Sequence, residues 1–262
     1  MKLPIVYSTT WSPPSCAVRM TAKAIGLELN IQEINLLKGE HLTKDFRKLN
    51  PQQSVPTLND NGFILCDSHA IMTYLVGKYS KSDALYPKDL NKRAMVDQRL
   101  YFNSSVLSVR TKDAVQPILR GQSKIISTES KKLVFKACDL LNEFLSGKSW
   151  LAGDSYTLAD ISCCSYINNF KIAFPIDNYP NIVSWMEKCE EHIPGFEEIA
   201  TSGAKQNNFM CKIHYKVEPL SQSFQGLKHK TIKEHDKCDD PWTSMGVLLN
   251  NCGLSECRLT KW

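Results

Sequence analysis

The chain has 262 residues, 42% of them hydrophobic and 23% charged, which is enough to bury the cores of two ordinary domains and too apolar for a disordered polymer. Its net charge of +5 combines 32 basic and 27 acidic side chains without a long basic run, so no nucleic acid and no membrane is expected as a main partner, and small molecules are. Ten cysteines without a secretory pattern before them are expected to be reduced thiols, packed as small hydrophobes in a cytoplasmic protein.

The first segment, "LPIVYS", has an apolar run too brief for a signal core and reads as a strand. "TTWSPPSCAVRM" then places Ser12 before Pro13 and Pro14, and two prolines suit a helix entry because a first-turn N–H has no intrahelical acceptor to lose. The helix is expected to end at Gly26, and "LELNIQEINL" reads as a second strand, which completes a βαβ unit. After a short helical stretch at "HLTKDFRKL", "VPTLNDNGFILCD" gives two strands joined by Asn-Asp-Asn-Gly, followed by a helix from Ser68, which is expected to cap it. A polar, proline-containing stretch over 81–90 separates residues 1–80 from a second half dominated by helical patterns over 91–205. Pro117 predicts a bend in the first long helix of that half. "YTLADI" predicts a helix start at Thr157, with Asp160 completing a capping box and Tyr156 stapling to Ile161. Residues 206–262 show little periodicity and are expected to form a poorly packed extension. Its Cys211, Cys238, Cys252, Cys257, His214, His229 and His235 lack the paired spacing of a zinc site, so no metal is expected.

Two side chains compete for the chemistry at the first helix. Ser12 stands at its mouth, where a serine hydroxyl ordinarily caps the helix; Cys16 lies about one turn inside, where a thiol can be activated but has no partner cysteine before it. Burial as an apolar filler is the expectation for Cys16.

Together, "WSPPSCAVRM" after a strand, "NPQQSVPTL", "LCDSHAI" and "YTLAD" in a helical second half resemble the cytosolic glutathione transferases of the insect delta/epsilon type, most nearly the epsilon class, over about residues 1–205. The resemblance implies an α/β thioredoxin-like N-terminal domain plus an all-α helical-bundle C-terminal domain, glutathione as co-substrate, a hydrophobic electrophile and a homodimer. It implies that Ser12 donates a hydrogen bond to the glutathione sulfur. It also implies that Pro56 is cis, so that the Val55 backbone pairs with the cysteinyl residue. By the same resemblance Asp67 and Ser68 receive the γ-glutamyl end, while His41 and Gln53, with Lys112 nearby, face the glycyl carboxylate. Gln53 replaces a histidine common in the epsilon class and Lys112 an arginine, and both changes bear on affinity. The electrophile pocket is expected from Thr10, Trp11, Leu36, Ser108, Thr111, Val115 and Leu119, the last four at helical intervals of three and four.

The Noppera-bo branch of the class, linked to insect steroid hormone production, resembles the chain in "SVPTL" and uses a helix acid in its pocket. That position falls at Thr111, and Asp113, about 200° further round the helix, is expected to be solvated. A non-catalytic carrier of hydrophobic ligands or steroids, or a glutathione-dependent step in ecdysteroid biosynthesis, is the alternative to conjugation.

Overall fold

Along β1 (Ile5–Ser8), Val6 and Ser8 are buried while Ile5 and Tyr7 are partly exposed, the two-residue period of a strand with one covered face. The computed structural model describes residues 2–119, 121–171 and 173–206; the remainder of the expected extension, with its cysteines and histidines, lies outside the described residues. Helix α1 (Pro13–Ala24) starts with its two prolines in the first turn. It ends in a Schellman motif, with Leu27 N–H donating to the Ala22 carbonyl and Gly26 N–H to that of Lys23, and Gly26 supplies the positive φ of 68° that this ending needs.

Strand β2 (Asn30–Glu33) pairs parallel to β1, with Ser8 opposite Glu33. A 3₁₀ turn (Glu40–Leu42) and α2 (Lys44–Leu49) lead to β3 (Thr57–Asp60) and β4 (Phe63–Cys66), giving the sheet order β2-β1-β3-β4. The β3–β4 turn has Asn61 at φ 54° and Gly62 at φ 97°, both in the positive-φ region that asparagine and glycine enter most readily. Helix α3 (Ser68–Tyr79) packs on the sheet and against α1. Val6, Ala17, Met20, Leu58, Ile71, Met72 and Leu75 are buried there.

From Leu90 onward the described residues are helical or connecting. Helix α4 (Leu90–Phe102), a π-helical turn (Asn103–Leu107) and α5 (Ser108–Leu119) follow without a break. Pro117 sits in the last turn of α5, two residues from its end, so it accompanies a terminus; the irregularity within the long segment is the π turn instead. Helices α6 (Thr128–Phe144), α7 (Leu158–Phe170) and α8 (Pro180–His192) complete the bundle. Both reciprocal bonds of the Thr157–Asp160 capping box are present, and the Tyr156 ring packs edge-on against Trp150 at 5.8 Å. Helix α7 packs on α1, which ties the bundle to the sheet half. A second π turn (Phe196–Thr201) and helical residues 202–206 return to α1.

Asp60 locks α3 to the β3–β4 hairpin. Its Oδ2 accepts from the hydroxyls of Tyr74 and Tyr79 and from Lys78 Nζ, each at 2.7 Å. Burial alone would raise this carboxyl, but the hydrogen bonds from Lys78, Tyr79 and Tyr74 outweigh it and hold the group well below the usual carboxylate range. A depressed folded-state value contributes stability that is present above the unfolded value of about 3.9 and is lost as pH falls through the folded one. We expect Asp60→Asn to lower the melting temperature near neutrality. The gap from wild type should then narrow on acidification below about pH 4; a gap independent of pH would refute the charged network.

Candidate functional site

The loop after β1 carries Ser12 to the threshold of α1. Ser12 occupies the N-cap position with extended backbone (φ −84°, ψ 119°), yet its side chain makes no capping hydrogen bond. The sequence accounts for part of this: Pro14, at the second helical position, has no N–H, so one of the two donors a cap ordinarily serves is missing. The hydroxyl has no hydrogen-bond partner among the described residues, on a residue that is 7% exposed.

The Val55–Pro56 peptide bond is cis, and the Val55 N–H and C=O form no hydrogen bond among the described residues. Asp67, not Ser68, is the N-cap of α3: its Oδ1 accepts from the N–H groups of His69 (2.9 Å) and Ala70 (3.1 Å). The expectation that Ser68 caps is therefore corrected. A carboxylate reaching two amides is the stronger cap, and Ser68 sits one residue inside the helix, half-buried, with its hydroxyl unbonded among the described residues. Asp67 holds a positive φ of 75° with ψ 122°, which costs a non-glycine residue about 1–3 kcal/mol and is a strain found mostly at functional sites. Its Oδ2 has no partner among the described residues.

His41, on the 3₁₀ turn, and Gln53, at φ 52°, come together: Gln53 Nε2 donates to the His41 carbonyl at 3.5 Å. The His41 Nδ1 is buried without a partner among the described residues. Lys112 and Asp113 are both exposed on α5.

A cleft of about 500 Å³ opens beside the Ser12 loop, with Thr9, Trp11, Glu33, Ile34, Leu37 and Lys205 among its lining. Of the residues expected to wall a pocket, Trp11 lines it. Thr10 is adjacent, with its hydroxyl engaged by Glu33, and Leu36 is half-buried while its neighbour Leu37 faces the cleft. Ser108, Thr111, Val115 and Leu119 of α5 are not among the residues that line this cleft. Thr111, Ala114, Val115 and Ile118 are the buried residues of α5, and Thr111 returns its hydroxyl to the carbonyls of Leu107 (2.8 Å) and Ser108 (3.1 Å). A threonine satisfied by its own helix packs like a small apolar residue, which sequence periodicity does not register. Val115 is buried in the bundle core and Leu119 packs against it, while Ser108, half-buried, donates to the Ser104 carbonyl.

One family model, the glutathione S-transferase N-terminal domain, matches residues 4–77, and a second, the glutathione S-transferase C-terminal domain, matches residues 91–192. The chain belongs to the glutathione transferase family. A delta-class glutathione transferase of Nilaparvata lugens is 40% identical, with 80% of this chain and 99% of that chain covered and a TM-score of 0.78. An epsilon-class glutathione S-transferase from the housefly, Musca domestica, is 36% identical over 80% and 98% of the two chains, with a TM-score of 0.77. A glutathione transferase homologue of Drosophila mojavensis with bound glutathione is 36% identical over 82% and 99%, also at 0.77. The activity of the family is glutathione conjugation, and this chain is a transferase of the insect delta/epsilon type. Nothing in these matches singles out the Noppera-bo branch, and Thr111, the position at which its helix acid is expected to fall, is buried.

Within the transferase, Cys16 is not a reactive thiol. It is 2% exposed, and burial pushes its thiol up to about 12. Its Sγ donates to the Thr10 carbonyl at 3.2 Å and approaches the Ile199 carbonyl at 3.7 Å, bridging the Ser12 loop to the C-terminal π turn. We expect iodoacetamide to leave Cys16 unmodified in the native transferase at neutral pH, checked by peptide mass spectrometry; rapid labelling would contradict the burial.

Sequence reasoning missed a polar bridge behind the α3 cap. His69 Nε2 lies 2.7 Å from Ser162 Oγ on α7, and Asn103 Nδ2, in the first π turn, donates to the same oxygen at 2.9 Å. Burial holds the His69 imidazole below its usual range, against the pull of Asp67. The capped end of α3 is thereby joined to two elements of the bundle. "DSHAI" carries the signal, a polar side chain just inside a cap, but it does not name the partners. Among the described residues no group of three His, Cys, Asp or Glu side chains is placed to hold a metal ion, and no helix is long and apolar enough to cross a membrane.

Proposed function

We propose that the chain conjugates glutathione to small hydrophobic electrophiles, with the Ser12 hydroxyl donating to the sulfur and favouring its thiolate. The observation that carries this reading is a serine at the mouth of α1 whose hydroxyl the helix does not use. One charge-assisted hydrogen bond is worth about 1.5–3 kcal/mol. That lowers a thiol of about 8.5 by one to two units, so much of it is ionised near neutrality without a base.

Groups without partners among the described residues support the placement of the tripeptide. Asp67 Oδ2 suits the γ-glutamyl ammonium, and the Ser68 hydroxyl and N–H, at the start of α3, suit its carboxylate. The unpaired Val55 backbone suits the cysteinyl residue as an added strand would, and the orphaned His41 Nδ1, with Gln53, suits the glycyl carboxylate. Lys112 adds a mobile charge. The residues bind and orient, and catalysis is thiol ionisation plus proximity to the electrophile in the cleft beside Trp11.

This reading divides the chain into a glutathione-binding domain over 1–80, a linker over 81–90 and an electrophile domain over 91–205, supported by the two family-model spans. It includes a cytoplasmic homodimer with a detoxifying role and, from "DSHAI" and "SVPTL", assignment to the epsilon class. The test is turnover of a chlorinated nitroarene with glutathione. Retention on a glutathione resin without turnover would favour a carrier instead.

A further inference from the structure

Several elements converge on the loop from Thr9 to Ser12. Asn169 on α7 donates to the Trp11 carbonyl at 3.0 Å, and Cys16 donates to that of Thr10. Gly203 lies so close that a Cβ there would collide with the Thr10 carbonyl oxygen and come within 3.1 Å of Cys16 Sγ. Glu33 grips the loop from the other side. Its Oε1 accepts from Thr9 Oγ1 (3.0 Å) and from the Thr10 N–H (2.9 Å), and its Oε2 from Thr10 Oγ1 (3.3 Å). The sheet register places it there, because Glu33 at the end of β2 stands opposite Ser8 at the end of β1, where the loop departs.

The loop closes as a turn, with the Ser12 N–H donating to the Thr9 carbonyl at 3.2 Å. Fixing Thr9 and Thr10 therefore fixes the backbone that carries the Ser12 hydroxyl. We propose that Glu33 is a positioning residue for thiol ionisation, acting through the Thr9–Ser12 turn; this rests on the reading of Ser12 given above. Electrostatics alone argues against a carboxylate here. Glu33 lines the cleft beside Trp11, and a fixed negative charge near a forming thiolate disfavours it. A hydroxyl must be held to within about 0.5 Å to do its work, and three bonds from one carboxylate to adjacent turn residues supply that restraint.

Positioning and charge pull the bound thiol in opposite directions, so the experiment is decisive. The ionisation of enzyme-bound glutathione is followed by thiolate absorbance against pH in wild type, Glu33→Ala, Glu33→Gln and Ser12→Ala. Glu33→Ala is expected to raise the thiol by about one unit, about a tenfold loss of thiolate below it, with kcat reduced and the KM for glutathione changed by less than about twofold. Glu33→Gln retains an oxygen at Oε1 without the charge and is expected to restore most of the wild-type value. Thr9→Val, which removes one of the three bonds, is expected to give a smaller shift of the same sign and serves if Glu33→Ala does not fold. No shift, or a downward shift in both Glu33 variants, overturns the proposal. If Ser12→Ala raises the thiol and Glu33→Ala does not, this inference fails alone; if Ser12→Ala leaves the thiol unmoved, the reading of Ser12 fails with it.

Discussion

Ser12→Ala is expected to raise the ionisation of bound glutathione by about one to two units, the equivalent of the roughly 1.5–3 kcal/mol of a lost charge-assisted hydrogen bond. Below both values the thiolate fraction falls about 10- to 100-fold, but a more basic thiolate is a better nucleophile, with a Brønsted slope of about 0.4–0.5. The two effects leave a net loss in kcat of roughly 4- to 12-fold from ionisation alone. That loss must shrink as pH rises past the variant's thiol, because the fraction recovers while the nucleophilicity remains. Melting temperature separates this from a capping role. A serine that caps costs about 0.5–2 kcal/mol when replaced by alanine, whereas this one makes no capping bond, so stability should hardly change. A rate loss of constant size across pH, or one matched by a lower melting temperature, would remove Ser12 from the chemistry.

What the sequence made legible was local. Pro13 and Pro14 announce a helix entry, Gly26 its Schellman ending, Asn61-Gly62 a tight hairpin, and Thr157 with Asp160 a capping box, each because the partners lie within a few residues. The choice of Asp67 over Ser68 as cap turned on a backbone conformation, a positive φ, that composition does not encode. Thr111 misled because a polar residue at a cleft interval spends its hydroxyl on its own helix. Glu33, Asn169 and Gly203 were invisible for another reason. Each reaches the Ser12 loop across at least 23 residues of sequence, and only the sheet register and the packing of α7 and the C-terminal turn bring them there.

Asp160→Ala is expected to produce the largest loss of stability from a single buried side chain. Asp160 is fully buried, and burial pushes its carboxyl above the usual range, against four hydrogen bonds donated to it. Oδ1 accepts from Leu151 N–H and Trp185 Nε1, both at 2.9 Å, and Oδ2 from Thr157 N–H at 2.9 Å and Thr157 Oγ1 at 3.1 Å. One side chain therefore caps α7, fixes the loop before it and anchors α8 through Trp185. Truncation strands three N–H donors in a buried interior, each at about 1–3 kcal/mol, so at least about 3 kcal/mol should be lost. At about 2–4 °C per kcal/mol for a chain of this size, melting should fall by roughly 6 °C or more. Asp160→Asn should recover little. Its oxygen can serve Leu151 and Trp185, but its amide then points N–H at the Thr157 N–H, donor against donor. Because α7 also carries Asn169, which holds the Trp11 carbonyl, the damage should reach the Ser12 loop: at temperatures where the variant is still folded, the bound thiol should ionise less readily than in wild type. Calorimetry with and without glutathione measures the first effect and thiolate absorbance the second, and a variant that melts with wild type would show that the capping box is ornamental to the bundle.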